Sequence, residues 1–263
     1  MRILVTNDDG IHAEGLAVAE AIACELSKDV WVCAPEVEQS GASRALTLSQ
    51  PLRVRTIVAR RFAVMGTPTD CVMLAIQTLM DAKPDLVLSG VNRGLNAGED
   101  VTMSGTVAGA IEAMSLGVPA IALSQRMTYS AADADAPFAV ARTFGAGLVA
   151  RLVELGWPNQ VILNINFPVG PVERVQEVEV TRQGFRDVRH RFAERRTDLR
   201  GREYFWQGFR VADRAAPAGT DLRAADEGRI SITPLHIDLT HRPTVRALAG
   251  RVGGAIPAHK VSA

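Results

Sequence analysis

Short apolar runs alternate with helix-like segments through residues 1–167, and this alternation is the strongest constraint on the fold. The runs have the length and composition of buried strands: Arg2–Thr6, Val30–Ala34, Phe62–Met65, Asp85–Ser89, Ala120–Ser124 and Val161–Asn166. Helices are predicted at Leu16–Leu26, Asp70–Met80 (N-cap Thr69 or Asp70), Gly105–Leu116 and about 134–155. Such alternation is typical of βαβ units, whose helices cover both faces of a parallel sheet. Right-handed crossovers then predict an α/β fold with a doubly wound, mostly parallel, Rossmann-like sheet.

The composition changes after Pro168, which predicts an α/β core over 1–167 and a C-terminal region over 168–263. Between Arg182 and Arg214, ten arginines and five acids are interleaved with six aromatic residues, as in an extended β arm. The arm fits a solvated hairpin, and it also fits a subunit contact in which arginine and aromatic side chains are anchors. A nucleic-acid surface is less consistent with it, because the acids dilute the positive field. A returning strand, broken by Pro234, is expected at Gly228–Leu239.

Charge and cysteine content exclude several classes of protein. The 29 basic and 29 acidic residues cancel, which argues against a general binder of nucleic-acid polymers or membrane surfaces. The chain is 47% apolar and 22% charged, as in soluble globular proteins, and its apolar runs stay below the roughly 18 residues of a membrane span. Three cysteines without CxxC spacing indicate neither a disulfide framework nor a zinc site. With no signal-peptide pattern at the N-terminus, a cytoplasmic protein is expected.

The first predicted strand is followed directly by Asn7-Asp8-Asp9-Gly10. Two adjacent carboxylates in a tight turn repel each other, and a hard divalent cation such as Mg²⁺ or Mn²⁺ would relieve that repulsion. The same residues also suit an ordinary helix N-cap, with Gly10 permitting the turn.

Two further loops follow predicted strands and therefore face the same edge of the sheet. The first, Glu36–Ser43, contains Ser40, whose hydroxyl precedes the unhindered amide of Gly41. The second, Ser89–Asp100, has three glycines and two asparagines. Its Asn92 has an amide oxygen suited to a metal, and its Asn96 has an amide N–H suited to an anion. Each loop by itself also fits a plain polar turn.

The helix predicted at Gly105–Leu116 begins with Ser104-Gly105-Thr106. Hydroxyls and free N–H groups at a helix N-terminus form an anion site, although a serine there also serves as an ordinary cap. Hard-metal ligands, amide groups and an anion site on one side of a sheet together point to metal-assisted phosphoester hydrolysis.

Other mechanisms are less consistent with the motifs. The sequence contains no GxxxxGK[ST], GxGxxG after the first strand, GxSxG or HExxH. A zinc-dependent deacetylase with an acidic loop would require a histidine ligand, for which His12 is the nearby candidate. A nucleotide sensor that binds without catalysis stays open. Ser104 as a nucleophile has no base placed for it by the sequence.

Six motifs together resemble one family over nearly the whole chain. They are NDDG at 7–10, SG at 40–41, GTPTDCV at 66–72, SGVNRGLNAGEDV at 89–101, SGTV at 104–107 and SITPL at 231–235. Their combination is similar to the SurE (survival protein E) 5′/3′-nucleotidase family. The resemblance implies a divalent-metal-dependent phosphomonoesterase that hydrolyses nucleoside 5′- and 3′-monophosphates, with short polyphosphate as a further substrate of some members.

The resemblance also implies roles for individual residues. The family's metal ligands correspond to Asp8, Asp9, Ser40 and Asn92, of which Asp8 and Asp9 are the catalytic acids, and its phosphate contacts to Asn96, Ser104, Gly105 and Thr106. One Mn²⁺ or Mg²⁺ per subunit is implied, in a homodimer or homotetramer that exchanges its C-terminal arm. Met103 departs from the family, in which many members have tyrosine before Ser-Gly-Thr, and this difference concerns the base preference rather than the metal site.

Overall fold

The computed structural model describes residues 1–127, 137–186, 191–209 and 215–252. In these segments nine strands form one mixed sheet: β1 (Arg2–Thr6), β2 (Asp29–Pro35), β3 (Val54–Val58), β4 (Arg61–Val64), β5 (Leu86–Arg93), β6 (Ala120–Gln125), β7 (Ile162–Phe167), β8 (Val178–Val180) and β11 (Ile230–Leu235). A separate antiparallel hairpin consists of β9 (Arg191–Thr197) and β10 (Glu203–Phe209). The helices are α1 (Glu14–Leu26), α2 (Pro68–Leu74), α3 (Gly105–Ser115), α4 (Ala139–Leu155), α5 (Asp221–Asp226) and α6 (Arg242–Val252).

The sheet order is β3-β4-β2-β1-β5-β6-β7-β11-β8. The six strands from β4 to β7 are parallel, whereas β3 and β11 run antiparallel to their neighbours β4 and β7. The predicted doubly wound, mostly parallel fold is therefore confirmed.

Alternating side chains of the strands pack into two hydrophobic layers. Ile3 and Val5 of β1 lie in the layer that contains apolar residues of α1 and α4, and the intervening Leu4 lies in the layer of α2 and α3. Both faces of the parallel strands are thus covered, which explains their continuous apolar character. Among the helices of the described segments, none combines the length and apolar character needed to cross a bilayer.

The second helix departs from its prediction at both ends. Thr67 is the N-cap rather than Thr69 or Asp70, because Asp70 is the third helical residue and completes a capping box with Thr67. Pro68 occupies the first helical turn, where its missing N–H costs no hydrogen bond. The α-helix ends at Leu74 and a π-helical turn continues over Ala75–Leu79.

Four elements were not predicted from the sequence: β3, β8, α5 and α6. The fourth helix begins at Ala139, and residues 134–136 of its predicted span lie outside the described residues. Of the predicted arm over 182–214, the described part contains the β9–β10 hairpin, while 187–190 and 210–214 lie outside. The division of the chain at residue 167 stays a prediction.

The returning strand is β11, and it continues through Pro234 instead of breaking there. The N–H of Ile230 donates to the carbonyl of Glu177, and the carbonyl of Ile232 accepts the N–H of Thr181; these two partners flank β8, whose last register pair is Val180 with Ile232. Pro234 lies two residues after Ile232, so its backbone faces the same side of β11 as those of Ile230 and Ile232. On that side it lies just beyond the end of the short strand β8. No ladder hydrogen bond is required of its missing N–H, so proline is tolerated at this position.

The base of the arm is held against the loop after β5 by four hydrogen bonds, of which the two that Asp221 accepts are buried. Asp221 accepts the N–H of Gly98 at 2.9 Å through Oδ2 and the N–H of Gly184 at 2.7 Å through Oδ1. Gln183 donates to the carbonyl of Gly98 at 3.0 Å, and the N–H of Arg186 donates to Glu99 Oε2 at 2.7 Å. Residues 183–186 are thereby fixed to the loop.

Candidate active site

Three of the loops predicted to carry chemistry meet around Asp8 and Asp9, at the carboxyl edge of β1. The N–H of Gln39, beside Ser40, donates to the carbonyl of Asp8 at 2.7 Å. The N–H of Arg93, beside Asn92, donates to Asp9 Oδ2 at 3.3 Å. The helix α3 arrives from a third direction and hydrogen-bonds to Asp8. The convergence follows from the parallel order of β2, β1 and β5, whose carboxyl ends share one edge.

Asp8 is almost fully buried, with 4% of its surface exposed. The hydroxyl of Thr106 donates to its Oδ1, and Gly105 approaches so closely that an added Cβ would lie 2.7 Å from the Asp8 Cβ. Loss of solvation raises the pKa of Asp8 from its ordinary 3.8 to about 6; the Thr106 hydroxyl opposes this shift and the charge of Asp9 adds to it. The glycine is therefore required at 105, because any side chain would displace the carboxylate.

Asp9 lies closer to solvent than Asp8, and its pKa is also raised. Burial is the main cause, the N–H of Arg93 counteracts it, and the carboxylate of Glu38 adds to the shift. Two neighbouring carboxyl groups thus both resist ionisation in the absence of a cation. A bound divalent cation would favour the ionised form of both carboxyl groups and lower their pKa values.

Ser40 and Asn92 have other partners in the described residues. Ser40 is exposed, and its hydroxyl donates to Glu38 Oε1 at 2.7 Å. Asn92 donates its Nδ2 to the carbonyl of Gly94 at 2.9 Å, so Oδ1 is the atom that could bind a cation. The loops of both residues lie against the acids, but their roles as metal ligands stay predictions.

The oxygen donors around Asp8 and Asp9 fit a hard divalent ion in their chemistry. In the described segments, no three His, Cys, Asp or Glu side chains cluster as they would around a metal. The ion would therefore depend on two carboxylates supplemented by hydroxyl and amide oxygens. Among the residues that the structure describes, His12 belongs to no such cluster.

Three of the residues predicted to contact phosphate have internal hydrogen bonds. Ser104 is the N-cap of α3 and accepts the N–H of Val107 at 3.0 Å. Thr106 is fully buried and donates to Asp8. Asn96 is 7% exposed and donates one amide N–H to Ser124 Oγ at 2.9 Å. An amide nitrogen has two hydrogens, so a second donor of Asn96 is available to a ligand.

Three residues next to the site were not predicted from the sequence: Glu38, Asn164 and Asn166. Glu38 influences Asp9 and contacts Ser40, and its loop position gave no reason to select it. Asn164 and Asn166 contact the backbone of Asn96 from β7. Here a signal existed, because two asparagines alternate with apolar residues in a strand that is buried throughout.

Fold and site together define an α/β enzyme with an acidic centre at the carboxyl edge of a doubly wound sheet. The family model described as Survival protein SurE matches residues 3–190. The chain belongs to the SurE family, which confirms the resemblance found in the sequence, and it is a phosphomonoesterase.

Curated relatives match the chain over nearly its whole length. The 5′-nucleotidase SurE of Phenylobacterium zucineum (strain HLK1) is 65% identical over 258 residues, covering 98% of this chain and 99% of the relative. The 5′-nucleotidase SurE of Caulobacter vibrioides (strain NA1000 / CB15N) is 62% identical over 264 residues, covering 100% of both. The crystal structure of the SurE protein from Aquifex aeolicus is similar with a TM-score of 0.81 and 35% identity, covering 95% of this chain and 99% of that one.

Proposed function

We propose that this enzyme hydrolyses nucleoside 5′- and 3′-monophosphates to nucleoside and phosphate in a reaction that depends on a divalent metal, and that short polyphosphate is a further substrate. The pair of adjacent acids, with Asp8 buried and Asp9 half-buried, is the observation that carries the proposal, because both carboxyl groups have raised pKa values and hydrogen-bond donors hold them in place. The names of the full-length relatives support the nucleotide substrate.

One Mn²⁺ or Mg²⁺ per subunit would be held by Asp8, Asp9, Ser40 and Asn92. Such an ion, when bound, polarises a phosphoryl oxygen and makes a bound water more acidic. The protein's contribution is to keep the carboxylates oriented. The Thr106 hydroxyl holds Asp8, and the Arg93 N–H holds Asp9.

Substrate phosphate would lie between the acids and the start of α3. The N-terminal turn of this helix, over Ser104, Gly105 and Thr106, carries partial positive charge that favours phosphoryl oxygens. The second amide N–H of Asn96 would donate to another phosphoryl oxygen. Catalysis would then consist of positioning and charge stabilisation, with Asp8 or Asp9 orienting the attacking water.

The variant Asp9→Asn tests this assignment. It removes one charge while keeping the shape, so Mn²⁺-dependent release of phosphate from AMP is expected to disappear while the circular dichroism spectrum is unchanged. Asp81→Asn is the matched control, because that carboxylate is 71% exposed and pairs with Arg2 at the opposite edge of the sheet. Near-native turnover of Asp9→Asn would refute the role of Asp9.

The same assay separates the two other classes. A zinc-dependent deacetylase would release acetate from acetylated sugars and leave AMP intact. A nucleotide sensor would bind AMP in the presence of metal and release no phosphate over hours. Either result from the unmodified protein would overturn the proposed reaction.

The role of the arm in assembly, the oligomeric state and the cytoplasmic location of the enzyme are also proposals. Phe205 and Trp206 of β10 are 60% and 61% exposed, and such aromatic side chains are suited to a contact with another subunit. A cytoplasmic homodimer or homotetramer with exchanged C-terminal arms, acting on nucleotides rather than on nucleic-acid polymers or membranes, would account for them. A monomer in analytical ultracentrifugation at micromolar concentration would contradict the assembly.

A further inference from the structure

The backbone of Asn96 is held by the side chain of Asn166 on β7. Asn166 Oδ1 accepts the Asn96 N–H at 2.9 Å, and Asn166 Nδ2 donates to the Asn96 carbonyl at 3.1 Å. The backbone N–H and carbonyl of Asn96 therefore both bind the side chain of Asn166. In a sheet, the same two groups would bind the backbone of a neighbouring strand. Asn164 adds a second donor to the same carbonyl at 2.7 Å.

Residues 94–97 belong to no helix or strand, so regular backbone pairing does not fix them. Asn164 and Asn166 are both fully buried, in a strand whose other residues are mostly apolar. Burying amide groups in such a strand is unfavourable unless they form hydrogen bonds. The N–H and carbonyl of Asn96 bind both polar atoms of the Asn166 side chain and the Nδ2 of Asn164, whereas Asn164 Oδ1 has no partner among the described residues. The side chains of the two asparagines thus supply the hydrogen bonds that a neighbouring strand would otherwise give to Asn96.

The side chain of Asn96 is oriented by Ser124, which lies beside Asn166 in the sheet. Its Nδ2 donates to Ser124 Oγ at 2.9 Å, and Ser124 is the register partner of Asn166 on the adjacent strand β6. With the backbone held by Asn166 and one amide hydrogen held by Ser124, the second hydrogen has a fixed direction.

We infer that Asn166 is a positioning residue for phosphate recognition, acting through Asn96. The inference rests on the proposed function, in which Asn96 donates to a phosphoryl oxygen. Donors that are fixed before the substrate arrives bind and stabilise charge without a reorganisation cost. Loss of Asn166 should therefore weaken phosphate binding although Asn166 itself touches no substrate atom.

The first experiment compares Asn166→Ala with Ser231→Ala. Ser231 is the register partner of Asn166 on β11, is also buried, and within the described segments its hydroxyl has no hydrogen-bond partner. Calorimetry with inorganic phosphate and Mn²⁺ gives Kd, and phosphate release from AMP gives KM and kcat. Asn166→Ala is expected to raise Kd and KM about tenfold, in line with loss of a hydrogen bond to a charged group, while Ser231→Ala stays within about twofold of wild type.

A double-mutant cycle distinguishes positioning from a general structural role. If Asn166 acts through Asn96, the double variant Asn96→Ala/Asn166→Ala should have the Kd and KM of Asn96→Ala within about twofold. Equal fold losses in both backgrounds would overturn the inference, as would an Asn166→Ala enzyme that loses active fraction but keeps the wild-type Kd and KM.

A milder variant covers the case in which Asn166→Ala does not fold. Asn164→Ala removes one of the two donors to the Asn96 carbonyl, and a rise of about threefold in Kd for phosphate is expected; an unchanged Kd would then overturn the inference.

Failure of the proposed function would give a different result. Wild-type protein that binds phosphate but hydrolyses no nucleotide refutes the reaction, while the ratios of Kd between variants and wild type still decide the role of Asn166. Wild-type protein that binds no phosphate overturns both.

Discussion

Replacement of Asp8 by asparagine should make the metal-free protein more stable at neutral pH. Asparagine keeps the shape of the side chain and an Oδ1 that accepts the Thr106 hydroxyl, but it has no charge to desolvate. The buried carboxylate is unfavourable in the folded state, since its pKa is raised from 3.8 to about 6.

The size and sign of the effect follow from this pKa. Between pH 3.8 and 6 the folded protein binds more protons at Asp8 than the unfolded chain does, so the contribution of Asp8 to stability falls as the pH rises through this window. Above it, the cost is about 3 kcal/mol, from a shift of roughly 2 pKa units at 1.36 kcal/mol each. The pKa of Asp9 is raised too, and its contribution has the same sign.

Urea unfolding at pH 4.5 and pH 7.5 in the presence of a chelator measures the effect. The wild type should lose stability relative to Asp8→Asn as the pH rises. Carboxyl groups remote from Asp8 cancel in the difference between the two proteins, and loss of the Asp8 charge removes a repulsion on Asp9, which acts in the same direction. Asp81→Asn, whose carboxylate is mostly exposed, should track the wild type within about 0.5 kcal/mol. Added Mn²⁺ should stabilise the wild type more than Asp8→Asn. A variant less stable than wild type at pH 7.5, or a difference independent of pH, would refute the reasoning.

Three further substitutions have defined outcomes. Gly105→Ala would place a methyl group 2.7 Å from the Asp8 Cβ, and a loss of about 1–3 kcal/mol together with most of the phosphatase activity is expected in unfolding and turnover assays. Thr106→Val removes the donor to Asp8 without changing the size of the side chain, so Mn²⁺ affinity measured by calorimetry should fall, whereas Thr106→Ser should retain it. Thr67→Ala removes the acceptor for the N–H of Asp70 and should lower the free energy of unfolding by about 1 kcal/mol without altering the KM for AMP.

Most of the fold could be predicted because the buried parallel strands have a strong local signature. The strands β1, β2, β4, β5, β6 and β7 all lie within a few residues of their predicted spans. The edge strand β3 escaped prediction because its residues Val54–Val58 are mostly exposed and carry no continuous apolar run. Helix α6 escaped for a related reason, since all of its residues are exposed and burial imposes no pattern on it.

The candidate site could be predicted at the level of loops but not of individual hydrogen bonds. Strand order alone brings Asp8, Asp9 and the loop of Asn92 to one edge. The bond from Thr106 to Asp8 joins residues 98 positions apart, and the bonds from Asn166 to Asn96 span 70 positions. Such pairings depend on tertiary packing, and a local sequence pattern does not show which distant side chains will meet.

The attachment of the arm at its base has a consequence for how this chain tolerates change. Because Asp221 and Gln183 hold residues 183–186 to the loop that leads to Asn96, displacement of that short segment would be transmitted to the catalytic edge. The turn at Asp198–Gly201, at the far end of the hairpin, is anchored only by its own hydrogen bonds among the described residues. A fluorophore or peptide tag inserted there would be separated from the catalytic edge of its own chain by the length of the hairpin.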